Sequence, residues 1–288
     1  MLPHGVQRQL LAPLHSLRES GQVSAVRLST RPDALTPADI RLLAEFQVSL
    51  VELGVQSMDD TVLAKAQRGH SAADTEHAFA ALHAAGIATG AQLMPGLPGS
   101  SADEALTSLE RVLQLKPACL RIYPAVVIEG TKLADLYLRG EYSPLTLPDA
   151  VSLGAHLLHT SQRTGVPVVR MGLQSTDFLS GPHGVIAGPY HPAFRQLVES
   201  KLTYDLLDYL TAGASGSLTV AVHPSRLSDA VGHKGENRHK FDMQGKRLQF
   251  VPDASLTHHD LAVTIAGATI KGNIMTDLHY PHPEAHHG

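Results

Sequence analysis

The stretch Leu50–Gln56 reads LVELGVQ, an apolar and β-branched run that contains one glutamate and ends in a glutamine. A short run that is apolar on both faces is typical of a strand buried in a parallel sheet. Residues 36–45 before it and 59–65 after it place apolar side chains at three- and four-residue steps, which predicts amphipathic helices. The stretch and its flanks therefore predict a βα unit.

The same alternation extends along residues 23–171. The other predicted strands are 25–30, 88–94, 119–127 and 166–171, and the other predicted helices are 6–17, 72–85, 102–114, 131–139 and 147–162. Thr36 and Ser101 are typical helix N-caps, and Gly86 and Gly140 are typical helix stops. The order predicts an α/β fold with a parallel sheet, but with fewer strands than a complete (β/α) barrel.

Composition places the chain among globular proteins and excludes some kinds of partner and metal site. The 288 residues are 43% hydrophobic and 17% charged, and the net charge of −4 excludes a globally basic nucleic-acid binder but not a local basic face. No signal segment and no apolar run of membrane-spanning length is present, so we expect a cytoplasmic protein without a membrane partner. The single cysteine, Cys119, excludes a zinc or iron–sulfur site supplied wholly by cysteines of this chain.

The composition changes at about residue 181, where the run GPHGVIAGPYHP, rich in Gly, Pro and His, is typical of a loop or linker. We predict a partial barrel with a C-terminal extension over 1–180, a linker and a helix (193–210) over 181–212, and a small α+β domain over 213–275. The remainder, 276–288, is a His-rich tail. Its histidines (His279, His282, His286 and His287) favour a disordered tract that binds metal only adventitiously.

Polar residues follow or end the predicted strands, where ligands bind in parallel βα folds. They are Ser29, Thr30 and Arg31, Gln56 and Ser57, Gln92, and Tyr123. A buried amide needs polar partners, so Gln56 and Gln92 indicate either a ligand site or bonds to loop backbone. Two loops, 68–70 (RGH) and 94–99 (MPGLPG), would let backbone approach a ligand, or they merely join elements.

Together these residues resemble the radical S-adenosylmethionine (SAM) superfamily, and within it the radical branch of the elongator catalytic subunit. The runs that carry the resemblance, in family order, are 30–33 (TRPD), 52–57 (ELGVQS), 68–70 (RGH), 94–98 (MPGLP), 122–124 (IYP), 129–131 (EGT) and 140–142 (GEY). They lie between residues 27 and 175, about half of the chain. Several motifs in a fixed order are far more specific than any one of them.

The resemblance implies a partial (β/α) barrel whose strand ends hold SAM against a 4Fe–4S cluster. It places the Gln56 amide on the cofactor and Arg68 on the cofactor's carboxylate. Ser29 and Gln92 occupy positions where relatives carry acidic contacts, so the ribose and amine contacts differ here. Met94 and Gly96, in the turn after the third predicted strand, complete the implied cofactor-binding set, and Arg121 and Tyr123 are weaker candidates for the substrate side.

The family binds its cluster through a three-cysteine loop, typically C-x3-C-x2-C, and this sequence has none. Cys119 is predicted to be a small buried residue, because one thiolate does not hold a cluster of four ligands. Helix 6–17 resembles the helix after the family's second strand. Either the protein begins upstream of Met1, where the cluster ligands would lie, or it has lost its radical chemistry, and we favour the upstream start.

The resemblance implies reductive cleavage of SAM and radical modification of a substrate that is RNA, with the wobble uridine of tRNA as the elongator case. Two alternatives stay open. One is a non-catalytic RNA-binding protein, and the other is a protein that binds SAM without cleaving it. The acetyltransferase domain of elongator is not in this sequence.

Residues 217–251 resemble the core of a KH domain, whose GxxG loop between two short helices clamps a nucleic-acid backbone. The nucleic-acid residues this implies are Gly232, His233, Lys234, Gly235 and Arg238, with Lys240 a further candidate for a phosphate. A plain helical hairpin is the alternative, because GxxG is common by chance.

Overall fold

The computed structural model describes residues 2–181 and 184–281. Its contacts divide the chain into two compact units. The first comprises 1–145, 164–171 and 176–189, and the second comprises 146–163, 172–175 and 190 onward, in each case within the described residues. The histidines predicted to form the tail at 282, 286 and 287 lie outside the described residues, whereas His279 lies within them.

The first unit is built on a five-stranded parallel sheet in the order β1-β2-β3-β4-β6. Its strands are β1 (Arg27–Thr30), β2 (Leu50–Gln56), β3 (Ala88–Leu93), β4 (Cys119–Ile122) and β6 (Val168–Met171), and β5 (Val127–Ile128) pairs with β7 (Val185–Ala187) in a separate antiparallel pair. The α/β fold predicted from sequence is confirmed. The predicted strand 119–127 is wrong as one element, because Pro124 lacks the N–H that a central strand must donate.

Helices connect the strands. In the first unit they are α1 (His4–Glu19), α2 (Pro37–Glu45), α3 (Asp60–Lys65), α4 (Ala72–Ala84), α5 (Ala102–Gln114), α6 (Lys132–Leu138) and, after α7 (Leu147–Arg163) of the second unit, α8 (Asp177–Ser180). Thr36 caps α2 and Ser101 caps α5, as predicted, and Gly86 and Gly140 adopt the left-handed backbone that ends a helix.

The core of the first unit lies on the helix-facing side of the sheet. Val51, Leu53 and Val55 of β2 are fully buried, and Leu120 and Ile122 of β4 continue the same layer. The alternate residues of β2, Glu52, Gly54 and Gln56, face the opposite side of the sheet. Because strand side chains alternate, one apolar set builds the core while the other set is free to line a site.

The second unit carries a four-stranded sheet in the order β11-β10-β8-β9. Its elements are α7, α9 (Phe194–Leu210), β8 (Gly216–Val222), α10 (Leu227–Val231), α11 (Glu236–Met243), β9 (Lys246–Pro252), β10 (Asp260–Ile265), β11 (Ala268–Asn273) and α12 (Ile274–Asp277). Strands β8 and β9 pair in parallel along their whole length, and β10 and β11 form an antiparallel hairpin.

Packing divides the chain differently from the sequence-based boundaries. Helix α7, which the sequence groups with the barrel, packs against α9 in the second unit, where Gly154 of α7 leaves room for Val198. Among the described residues, none of the helices has the length and apolar character needed to cross a lipid bilayer.

Candidate functional site

A cavity of about 360 Å³ opens at the carboxyl ends of β1, β2 and β3. Four of the cofactor-binding residues proposed from sequence line it together, namely Ser29, Gln56, Arg68 and Gln92. The remaining lining residues are Thr30, Arg31, Ala34, Glu52, Leu53 and Gly54. The carboxyl edge of a parallel sheet is the usual place for a ligand in α/β folds, so the cavity is the first candidate site.

Two glutamines form the floor of this cavity. The Gln92 side-chain amide donates to the Gln56 side-chain oxygen at 3.1 Å, and Gln56 is buried. Gln56 has a φ of 70°, in the left-handed region that side chains rarely adopt, where the register between β2 and β3 shifts. A Cβ on Gly54 would lie 2.6 Å from Gln56 Nε2, so Gly54 leaves the space that this amide fills. A strained, buried amide at a strand end is typical of functional sites.

Arg68 enters the cavity from the loop after α3. Its side chain is half-buried, its Nε has no hydrogen-bond partner, and it forms no ion pair among the described residues. Burial, and then the charge of Arg31, lowers the pKa of Arg68. Arg31 itself is held by two hydrogen bonds to Asp33, at 2.9 and 2.7 Å. The cavity therefore presents a half-buried cation whose anionic partner is not supplied by the described residues.

Glu52 is the acidic residue of the site that the sequence analysis did not single out. It is a buried residue of the cavity lining, where Arg121 donates to it at 2.9 Å, Arg27 lies 3.6 Å away, and the Ser29 hydroxyl donates to it at 3.3 Å. A charged residue inside an apolar strand was the signal that could have revealed it. The ion pair ties β1, β2 and β4 together across the inner face of the sheet.

Cys119 lies on the same face of the sheet as Glu52, the face opposite the helix-packed core, and both residues are neighbours of Gly90. Its side chain is buried as predicted, and burial, followed by the Glu52 carboxylate, raises the pKa of its thiol. A cluster ligand must be a thiolate, so this environment opposes ligation. With one cysteine in the sequence and no group of three metal-ligating side chains among the described residues, a 4Fe–4S cluster does not fit this chain's own residues.

Met94 and Gly96 lie in the turn that follows β3. Met94 packs beside Val62, Leu97 and Ala125 and lines a second cavity, of about 590 Å³, which Arg68 also lines. Gly96 lines neither cavity. Its φ is 85°, a Cβ on it would lie 3.0 Å from Leu145, and its carbonyl accepts a hydrogen bond from the Tyr142 hydroxyl. Gly96 therefore shapes the turn rather than the cavity.

Three further motif residues are held by internal contacts. The Ser57 hydroxyl donates to Glu104 at 2.7 Å, and the His70 Nε2 lies 3.0 Å from the Val55 carbonyl, which anchors the 68–70 loop on β2. The backbone N–H of Tyr123 donates to Leu93, which extends the pairing of β3 and β4. Ser57 and His70 support the site rather than line the 360 Å³ cavity.

In the second unit, the GxxG residues form the connection between α10 and α11. Gly232 has a φ of 85° and packs so closely on α11 that a Cβ would lie 2.6 Å from the backbone nitrogen of Asn237. Gly235 has a φ of 79°. Lys234 is exposed with a φ of 52°, and the exposed Arg238 guanidinium lies 5.9 Å from the Phe250 ring centre. His233 lies against His191, with ring centres 5.0 Å apart. Two parallel strands enclose two short helices and a glycine-shaped loop.

Comparison with known families agrees with the geometry of the first unit. The model of the Radical SAM superfamily matches residues 8–112, and that of the Radical_SAM C-terminal domain matches residues 117–204. The chain belongs to the radical SAM superfamily. The five-stranded parallel sheet is thus the partial barrel that the sequence motifs predict.

Within the superfamily, the relatives are elongator-like. The tRNA uridine(34) acetyltransferase of Methanocaldococcus jannaschii is 32% identical over 155 residues, 52% of this chain and 29% of that protein. Elongator complex protein 3 of Saccharomyces cerevisiae is 27% identical over 51% of this chain and 27% of its own length. A solved structure of the archaeal Methanocaldococcus infernus Elp3, with an N-terminal deletion, is 28% identical with a TM-score of 0.55 and covers 62% of this chain and 41% of that chain. The chain thus spans less than a third of these two curated relatives.

Proposed function

We propose that the first unit binds S-adenosylmethionine in the cavity at the ends of β1, β2 and β3, as part of an elongator-like system that modifies RNA. Membership of the radical SAM superfamily supports the cofactor, and similarity to the tRNA uridine(34) acetyltransferase of M. jannaschii supports tRNA as the substrate. The second unit would hold the RNA through its GxxG loop.

The unpaired cation at Arg68 is the observation that carries the cofactor proposal. S-adenosylmethionine bears a carboxylate, and a planar guanidinium can hold a carboxylate with two parallel hydrogen bonds. The Gln56 and Gln92 amides, together with the Ser29 hydroxyl, offer the uncharged donors and acceptors that ribose hydroxyls and an amine require. In this proposal Arg68 binds and orients the amino-acid end, and the glutamine pair fixes the rest of the cofactor.

Reductive cleavage of S-adenosylmethionine at a 4Fe–4S cluster is the chemistry associated with the superfamily. The residues of this chain do not fit a cluster, so we propose that chemistry only for an assembly in which cysteines outside these 288 residues supply the thiolates. In this proposal the residues of this chain bind and position the cofactor.

The RNA proposal depends on the loop geometry of the second unit. Strong backbone turns at Gly232 and Gly235 allow a close approach to a phosphate, and Lys234 extends into solvent between them. The parallel pairing of β8 and β9 around this loop supports the KH-like interpretation over a plain helical hairpin. A protein that binds RNA in this way without any cofactor is the second candidate function.

Calorimetry with two ligands tests the cofactor site. Arg68→Ala should weaken binding of S-adenosylmethionine about 10- to 100-fold, because a charge-assisted hydrogen bond contributes roughly 1.5–3 kcal/mol. The same variant should leave the affinity for 5′-methylthioadenosine unchanged, since that ligand lacks the carboxylate. Gln56→Ala should lower the affinity for both ligands.

The matched control is Arg8→Ala, which removes an exposed guanidinium paired with Glu45 on the surface of α1. It should change neither affinity. If Arg68→Ala and Gln56→Ala both bind S-adenosylmethionine like the unmodified protein, the cofactor proposal is wrong. Absence of any S-adenosylmethionine binding, combined with salt-dependent RNA binding, would favour the second candidate function.

A further inference from the structure

A cavity of about 270 Å³ lies in the second unit, beside the GxxG loop. Leu147 and Val151 of α7 and Leu197 of α9 form its apolar wall, and His233 and Asn237 close it on the side of the loop and α11. Its size is near the lower end for ligand pockets, about 300 Å³, so it suits a single flat ring system better than an extended ligand.

Ser200 is an unpartnered polar group in the lining of this cavity. The residue is only 5% exposed, and its hydroxyl makes no hydrogen bond within the described part of the chain. Its backbone carbonyl is already used, since the Asn237 side-chain amide donates to it at 3.0 Å. A buried hydroxyl without a partner destabilises the fold, so the Ser200 hydroxyl is a group to which a ligand in this cavity could add a hydrogen bond.

Two imidazoles stand at the cavity and add flat surface. His191 and His233 meet edge to face. The Ala193 backbone N–H donates to His191 Nδ1 at 3.1 Å, so the ring proton of a neutral His191 is on Nε2, which can donate to a ligand. Burial, and then the charges of His233 and Lys234, lowers the pKa of His191 and favours that neutral form.

The charges at the cavity disfavour an anion inside it. The Glu236 carboxylate is part of the lining, and the two lysines of the lining are already paired, Lys240 with Glu236 at 2.7 Å and Lys201 with Asp205 at 2.5 Å. Lys234, by contrast, is exposed on the loop and is not part of the lining. A phosphate therefore fits outside, at the loop, and an uncharged polar ring fits inside.

We propose that this cavity receives one nucleobase of the RNA strand whose backbone lies on the GxxG loop. The apolar wall and the imidazoles supply stacking surface. The Ser200 hydroxyl and His191 supply hydrogen bonds to the edge of the base, and Asn237 offers only its side-chain oxygen, because its amide nitrogen already donates to backbone carbonyls. This inference rests on the proposed RNA-binding function and adds a base-reading pocket, built partly by α7 and α9, to the loop that holds the backbone.

The test measures, by fluorescence anisotropy, how tightly the full chain binds a fluorescein-labelled single-stranded RNA. In a series of such RNAs, a single abasic position is moved along the strand. One abasic position should weaken binding by the unmodified protein about tenfold, which is the effect expected for losing one stacked base. Val151→Phe, which fills the cavity, should weaken binding of the intact strand similarly and remove the sensitivity to that position. Ser200→Ala should lower affinity without lowering the melting temperature.

The control Lys234→Glu should weaken binding of every strand by the same factor. Equal affinity for all abasic positions, or unchanged binding by Val151→Phe while Lys234→Glu binds weakly, would overturn the pocket and leave the GxxG proposal intact. If Lys234→Glu also binds RNA like the unmodified protein, the GxxG proposal fails and the pocket inference fails with it.

Discussion

Gly90 allows Glu52 and Cys119 to pack closely on the face of the sheet that lines the cavity. A Cβ at this position would lie 2.9 Å from Cys119 Sγ and 3.2 Å from Glu52 Cγ. Neither neighbour can move freely, because Cys119 is buried and Glu52 is held by Arg121. The absence of a side chain at Gly90 thus leaves room for the Glu52–Arg121 ion pair at the candidate cofactor cavity.

We therefore expect Gly90→Ala to destabilise the protein by about 1–3 kcal/mol, the usual effect of overpacking a core. Adding Cys119→Ala should recover part of that loss, because it removes the closest clashing atom. Urea unfolding measures both effects. Gly5→Ala is the matched control, since a Cβ there meets nothing within 4 Å. Equal stability of Gly90→Ala and Gly5→Ala would contradict the packing argument.

Residues also show where prediction from sequence succeeds and where it stops. Thr36, Ser101 and Gly86 act locally, so their cap and stop roles follow from the chain itself. The partners of Glu52 come from strands 23 and 69 residues away, and no local pattern specifies them. The carboxyl ends of β1, β2 and β3 could be predicted, but the partners of Glu52 depend on the register of the sheet.

At the scale of elements, Asp39 joins α1 to α2. Its carboxylate accepts hydrogen bonds from the Thr36 backbone and side chain, from Gln7 at 2.9 Å and from His4 at 3.0 Å. Burial alone would raise the pKa of Asp39, but the hydrogen bonds from Thr36, Gln7 and His4 outweigh it and lower the pKa to about 2. One carboxylate therefore caps α2 and fastens α1 onto it.

Because the folded-state pKa is depressed, this stabilisation is present above about pH 4 and is lost as the pH falls through about 2. It amounts to about 2 kcal/mol. Asp39→Asn should remove a similar amount at neutral pH and flatten the acid dependence of stability, measured as urea midpoints down to about pH 2. Asp59→Asn, which changes the N-cap of α3, should have little effect, because Asn caps as well as Asp. If Asp39→Asn loses stability at low pH in the same way as the unmodified protein, Asp39 is not the source of the acid dependence.

Elements also differ in how far the sequence reveals them. The helices with caps and the long apolar strand β2 follow from pattern. The hairpin β10–β11 was not identified, because its run DLAVTIAGATIKGN has only Ala266-Gly267 as a turn signal and alternates weakly. The assignment of α7 to the second unit depends on contacts between α7 and α9, which lie far apart in the chain.

At the scale of the whole molecule, the charge balance bears on the RNA proposal. The chain has 23 Lys and Arg against 27 Asp and Glu, so its overall field does not attract a polyanion. In the proposed function, RNA affinity therefore comes from a few local contacts at the GxxG loop, where Lys234 and Arg238 are exposed. A local site predicts a shallow salt dependence, unlike that of a globally basic binder.

We expect the logarithm of the RNA association constant to fall against the logarithm of the salt concentration with a slope of about −2, the value for roughly three phosphates of a single strand. Lys234→Glu should make that slope shallower by about 0.7 and weaken binding, because one phosphate contact is lost. Lys271→Glu, on the exposed strand β11 of the same unit, makes the same charge change away from the loop and should leave the slope unchanged. If the two variants shift the slope equally, net charge rather than the GxxG loop governs binding, and the placement of the RNA on this loop is wrong.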